Sequence, residues 1–210
     1  VSIDGRLVST GQQVALKVIH RHLAKDYQIS RRFHREARIL SRLHSPNIAA
    51  LLDFGETEEG QLFMAQQLVD GPSLEQLIAR GSLGLEQAVA VVRQVCAALE
   101  QAHDAGVVHR DLKPSNVIVE PRPGGGELVR VLDFGMAKLV RGDLSESLNA
   151  LTEQNMVFGT PEYMAPEQAR GEQADERTDV YAVGVILYEL LTGGVPFSSS
   201  TPIGMMTAHL

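Results

Sequence analysis

His109-Arg110-Asp111-Leu112-Lys113-Pro114-Ser115-Asn116 is the stretch from which the rest of the chain can be read. It gathers a carboxylate (Asp111), an ammonium (Lys113) and a carboxamide (Asn116) into one short loop. That set suits the movement of a phosphoryl group from a magnesium-bound nucleotide to a hydroxyl. Asp111 would accept or orient the proton of the attacking hydroxyl, Lys113 would neutralise charge on the group in transit, and Asn116 would offer an oxygen to the metal.

Working outward, residues 85–106 carry the amphipathic pattern of a long helix that delivers this loop. Val92, Cys96, Leu99 and His103 form a stripe on it, so Cys96 is expected to be a buried, inert thiol. Downstream, Pro121 to Gly126 reads as a hairpin connection, and Asp133-Phe134-Gly135 follows it. Towards the start of the chain, the alternating strand Val14 to Ile19 carries Lys17 among apolar neighbours. Residues 27–43 then place Ile29, Phe33, Leu40 and Leu43 on one helix face, with Glu36 in the middle of that stripe. A carboxylate on an inward face is costly unless paired, so the pattern predicts a Lys17–Glu36 ion pair. Arg31, Arg35, Arg38 and Arg42 occupy the opposite face, read either as a solvated basic surface or as a dock for an acidic partner.

Taken in order, these stations resemble the protein kinase family, in particular its serine/threonine branch. The resemblance rests on Val14-Ala15-Leu16-Lys17, Glu36, the 109–116 loop, Asp133-Phe134-Gly135 and Ala165-Pro166-Glu167. Lysine two residues after Asp111 and the run Gly159-Thr160-Pro161-Glu162-Tyr163 resemble the serine/threonine signature, and 161–171 resembles bacterial members. The family implies an α+β bilobal fold, with a small β-rich lobe over 1–69 ending in a hinge and a mainly helical lobe over 70–210. It implies ATP and Mg2+ as cofactors and a protein as substrate. Lys17 would meet the α- and β-phosphates, aligned by Glu36; backbone groups of Gln67 and Val69 would hold the adenine, with Gln66 guarding the pocket behind; and Asp133 and Asn116 would hold magnesium. His109 is implied to stack structurally on Phe134, with Leu40 and Leu51 completing an apolar column. Thr160 is implied to bond near Asp111 and Lys113, and Asp179 to hold backbone groups of the loop. Asp70 and Ser73 lie where a ribose hydroxyl is within reach, although Ser73 is read first as the N-cap of a helix over 74–80.

The segment from Gly135 to Ala165 contains Ser145, Ser147 and Thr152. Arg110 and Lys138 read as a two-cation pocket for a phosphorylated loop residue, and spacing back from Gly159-Thr160 favours Thr152. Autophosphorylation there implies a transient homodimer. The alternative is a polar loop with incidental hydroxyls.

No G-x-G-x-x-G occurs, and Gly11 reads as a turn between strands. The family places a glycine-rich loop before this point and further helices after Leu210, including an arginine partner for Glu167. The chain is therefore read as an internal fragment, inactive by itself. Val180 to Leu191, apolar nearly all round, is expected to be buried. It is interrupted by Glu189 and too short to span a bilayer, so no membrane contact is expected within this segment. The family resemblance implies a cytoplasmic location, either free or as the cytoplasmic domain of a membrane-anchored receptor kinase. The 210 residues, 44% of them hydrophobic, suffice for a sizeable core, and a net charge of -7 argues against a nucleic-acid partner. A pseudokinase acting as a binding module and an antibiotic-phosphotransferase type of small-molecule kinase are the competing readings. The retained Lys17, Glu36, Asp111, Asn116 and Asp133 disfavour the first, and the 135–167 segment disfavours the second.

Overall fold

The computed structural model describes residues 2–6, 11–19, 26–134 and 160–210. Lys138, Ser145, Ser147 and Thr152 lie outside the described residues. In the first part of the chain four strands form one antiparallel sheet in the order β1-β2-β4-β3: β1 (Ser2–Arg6), β2 (Gln13–Val18), β3 (Leu51–Glu56) and β4 (Leu62–Gln67). Its register sets Lys17 opposite Met64 and Val14 opposite Gln67.

Helix α1 (Tyr27–Leu40) begins where the Asp26 carboxylate accepts the amides of Gln28 and Ile29 at 2.7 and 3.3 Å, satisfying donors that the first turn leaves unpaired. It ends at Leu40, three residues short of the expected boundary, while Leu43 stays buried in the turn beyond. Phe33 and Ala37 turn inward to join Ile19, Leu62 and Met64 in one apolar cluster. Burial of a ring such as Phe33 contributes about 1.5–3 kcal/mol. Phe33 also meets Phe54 of β3 edge to face, with ring centres 6.5 Å apart.

Beyond the sheet the chain is mainly helical: α2 (Leu74–Ile78), α3 (Leu85–Asp104), α4 (Pro166–Ala169), α5 (Glu176–Thr192) and α6 (Pro202–Ala208). Ser73 caps α2, accepting from Gln76 N–H at 3.2 Å while the Gln76 side chain takes the Ser73 amide at 2.9 Å. The hairpin of β5 (Val117–Pro121) and β6 (Glu127–Val131) turns through Gly124, Gly125 and Gly126, all with positive φ, as the glycine-rich patch predicts. The larger core gathers Val91, Val95, Ala98, Leu99 and Ala102 of α3, Val117 and Val119 of β5, Val129 and Val131 of β6, and Val183, Ile186 and Leu190 of α5.

Two expectations are corrected. Cys96 is exposed: the buried row of α3 runs through Ala88, Val91, Val95, Ala98 and Ala102, so Val95 takes the inward place and turns its neighbour outward. Partial desolvation still pushes the Cys96 thiol pKa up. Helix α5 is buried along one flank only, because Val180, Tyr188 and Leu191 face outward. Apolar residues all round a helix show what it tolerates, not which neighbours cover it.

The two regions are stapled by residues 45–50. Ala49 N–H donates to Val131 O at 3.0 Å, and Val131 N–H donates to Asn47 O at 2.8 Å. The Asn47 amide also donates to Val129 O at 2.9 Å and to Gln94 Oε1 at 3.1 Å. Arg130 adds a bond to Pro46 O at 3.1 Å while pairing with Glu120 at 2.9 Å.

Candidate active site

The 109–116 loop hangs between α3 and β5, and a buried carboxylate fixes it. Asp179, on α5 and 0% exposed, accepts the amide of His109 on Oδ2 at 2.8 Å and the amide of Arg110 on Oδ1 at 2.9 Å. His103 Nε2 of α3 donates to the same Oδ2 at 2.8 Å. Burying a charge is tolerable only with such a set of donors. The hydrogen bond to Asp179 raises the His103 pKa, opposed by partial burial, with Glu176 and Asp104 adding in the same direction.

His109 itself is fully buried and meets Phe134 edge to face at 4.9 Å. Its Nε2 lies 2.8 Å from Leu132 O, and its Nδ1 accepts the Asp111 amide at 3.3 Å, so the ring ties the loop to the segment carrying Asp133. Leu40 and Phe134 belong to the same core, with Leu51 packed against it.

Arg110 and Asp133 are the non-glycine residues with positive φ among the described residues, at 67° and 65°. Such conformations cost about 1–3 kcal/mol each and persist where surrounding bonds over-determine them. Here the strain flanks Asp111 on one segment and sits at Asp133 on the other.

Lys113 Nζ lies 3.3 Å from Asp111 Oδ2 and donates to Thr160 Oγ1 at 3.0 Å, bringing together the three residues that the sequence associates. Asn116 spends its amide nitrogen on Asp111 O at 2.9 Å, which leaves its oxygen for another partner. The backbone carbonyl of Asn116 accepts from Leu132 N–H at 2.8 Å, setting the residue beside the Asp133 segment. Asp133 Oδ1 is buried; it pairs with Lys17 across the cleft and receives no other hydrogen bond among the described residues. A half-satisfied carboxylate beside an uncommitted carboxamide oxygen is an oxygen donor set that fits a hard divalent cation.

Glu36 is buried, as its place in the stripe predicts, and its Oε1 accepts from Arg35 Nη2 at 2.8 Å and Nε at 3.2 Å. A cation therefore reaches Lys17's expected partner from the neighbouring helical position. At the end of β4, Gln66 is buried, and the Gln67 N–H donates to Ala50 O at 2.8 Å. That bond restricts Gln67 to its carbonyl in any adenine contact. Val69 is half-buried just beyond the strand. Gly71 follows at φ 154°, where an added Cβ would lie 2.5 Å from Val119 O. Only glycine lets the chain pass this close to β5, where Val119 N–H donates to Pro72 O at 2.9 Å.

The sequence did not point to Asn47, His103 or Gln168, whose side chains bond across long sequence separations. Glu167 Oε1 accepts from Thr178 Oγ1 at 2.6 Å, and Tyr163 donates to Glu189 at 2.6 Å.

The chain as a whole resembles known proteins. The family model described as "Protein kinase domain" matches residues 3–209. A serine/threonine-protein kinase of Myxococcus xanthus, pkn3, is 50% identical over 206 residues, covering 98% of this chain and 37% of the relative. PknB, a serine/threonine-protein kinase of Mycobacterium tuberculosis, is 37% identical over 203 residues, covering 95% of this chain and 31% of that protein. The chain therefore spans about a third of the length of these relatives. Among solved structures, the PknI kinase domain of Mycobacterium tuberculosis superposes with a TM-score of 0.70 at 29% identity, covering 95% of this chain and 71% of the other.

Proposed function

This chain belongs to the protein kinase family, and on that premise we propose that the protein containing it transfers the γ-phosphoryl group of ATP to serine or threonine hydroxyls of proteins. The observation that carries the reading is the Asp111–Lys113–Thr160 constellation together with the half-buried carboxylate of Asp133, whose Oδ1 is paired with Lys17 and has no other partner among the described residues.

In this reading Asp111 takes the proton of the substrate hydroxyl. Lys113, already within 3.3 Å of Asp111, steadies charge on the group in transit. Asn116 Oδ1 and the Asp133 carboxylate would hold magnesium, which when bound neutralises phosphate charge. Lys17, now on Asp133, would turn to the α- and β-phosphates with Glu36 as its counter-ion. The Gln67 carbonyl and the Val69 backbone would take the adenine edge, with Gln66 behind it. The lobes would divide at about residue 69. Because ATP and protein hydroxyls meet in the cytoplasm, the domain would act there; among the described residues no helix is long and apolar enough to cross a membrane.

Regulation follows the same chemistry. Arg110 Nε is buried without a hydrogen-bond partner among the described residues, which suits an anion arriving from outside them. Phosphate on Thr152, added by a second copy in a transient homodimer, would supply it, with Lys138 as the second cation.

The test is transfer of label from γ-labelled ATP with magnesium by the full-length protein. Phosphoserine or phosphothreonine in protein is the expected product. Label confined to tyrosine or to a small alcohol, or no transfer at all, overturns the reading.

A further inference from the structure

Gln168 stands at the third position of α4, and neither the loop chemistry nor the fold requires a glutamine there. Its side chain nevertheless makes two bonds that face different ways. Oε1 accepts the amide of Ala165, the N-cap of its own helix, at 3.1 Å. Nε2 donates to the carbonyl of Arg110 in the catalytic loop, fifty-eight positions away, at 2.8 Å.

The second bond falls on a sensitive atom. Arg110 is held at φ 67°, and the peptide that follows it carries Asp111. Asp179 fixes the peptide before this residue, taking the Arg110 amide at 2.9 Å. Gln168 fixes the peptide after it. A left-handed residue relaxes by rotating the peptide units on either side, so clamping only one of them leaves the other free to turn and carry the Asp111 carboxylate with it. Asp179 and Gln168 together close both routes. The other tie on that second peptide, from the Asp111 amide to His109 Nδ1, is long at 3.3 Å, and the Asn116 amide on Asp111 O holds the peptide beyond Asp111, not either peptide flanking Arg110.

Resting on the proposed phosphoryl-transfer function, we propose that Gln168 is a positioning residue: by holding the Arg110 carbonyl it sets the direction of the Asp111 carboxylate and makes the catalytic loop depend on α4.

Two substitutions separate the two bonds in the full-length protein. Gln168→Met removes both. Gln168→Glu keeps an oxygen for the Ala165 amide but sets a carboxylate against the Arg110 carbonyl, losing only the bond across to the loop. Displacement of a reacting group by about 1 Å lowers turnover about a hundredfold. Both variants are therefore expected to lose about ten- to a hundredfold in kcat, with KM for Mg-ATP within about twofold of wild type; Gln168→Met also melts somewhat lower through loss of the Ala165 bond, whereas Gln168→Glu melts close to wild type. Loss in Gln168→Met with full kcat in Gln168→Glu would assign the residue to capping α4 and overturn the proposal. A kcat within about twofold of wild type in both variants would do the same. So would a kcat loss tracked in both by a falling melting temperature, which would make Gln168 a folding residue. Wild-type protein is assayed alongside: if it transfers no phosphate, the proposed function fails and this inference with it, whereas active wild type with unaffected variants removes this inference alone.

Discussion

His103 on α3 and Asp179 on α5 meet at 2.8 Å, through the same carboxylate oxygen that receives the amide of His109. The pair connects a titratable group on α3 to the backbone of the 109–116 loop.

A pH dependence follows from it. The hydrogen bond to Asp179 raises the His103 pKa above the unfolded value of 6.5. A raised histidine contributes stability that is fully present below the unfolded pKa and is lost as pH rises through the folded one. His209 acts oppositely: burial lowers its pKa, so its contribution is present above 6.5 and lost as pH falls through the lowered value. Subtracting the urea-unfolding free energy of His103→Gln from that of wild type isolates the first term. The difference should be largest below pH 6.5 and shrink on the alkaline side. A flat difference counts against the link.

Asp111→Asn and Asp133→Asn should both abolish transfer by different routes. The first removes the proton acceptor and is expected to lower kcat about 10²–10⁴-fold with little change in KM for Mg-ATP. The second removes a metal ligand and should weaken Mg-ATP binding as well as turnover. Steady-state kinetics over a range of Mg-ATP separates them, and an active Asp133→Asn enzyme at saturating nucleotide contradicts the assignment.

Gly71→Ala should destabilise the protein more than a surface change of the same size. The positive φ alone costs about 1–3 kcal/mol in a residue with a side chain. The new Cβ would also stand 2.5 Å from Val119 O, a backbone atom with little room to withdraw. Thermal melting reads the loss, and a change under about 0.5 kcal/mol, the ordinary range for a surface site, would show that the backbone at Gly71 yields easily.

Thr152→Ala should lower activity without altering nucleotide affinity, while Ser145→Ala and Ser147→Ala should have smaller effects. Mass spectrometry of the autoactivated full-length protein is expected to find phosphate on Thr152. Full activity in Thr152→Ala would return the 135–159 segment to the reading of incidental hydroxyls.

What could be read from the sequence divides along a physical line. Groups whose chemistry depends on near neighbours were legible: the 109–116 loop, the inward Glu36, the Ser73 cap and the glycine turn at 124–126 all announce themselves by local spacing. Helix α1 was found but drawn too long, because Leu43 continues the apolar period after the helical bonds stop. Cys96 is misplaced by the pattern because it shares a stripe with Val92, which packs against the core, and with buried Leu99, while the fully buried row runs through Val91, Val95 and Ala98; only the neighbours of α3 decide where the edge of the buried face falls. The bonds of Asn47, His103 and Gln168 stayed hidden because a polar side chain satisfying a distant backbone group leaves no periodic trace.

The β5–β6 hairpin begins immediately after Asn116 and ends two residues before Asp133. With Val117 paired to Val131 and Leu132 N–H on Asn116 O, it works as a length standard between the two oxygen donors. A slip of one residue in this ladder would move one donor along the other by about 3.3 Å and reverse the faces of the strand. The turn at 122–126, closed by the Arg122 amide on Gly126 O at 3.1 Å, sets where that standard starts, because turn length fixes the register of a hairpin. An inserted residue far from either donor would therefore be felt at both.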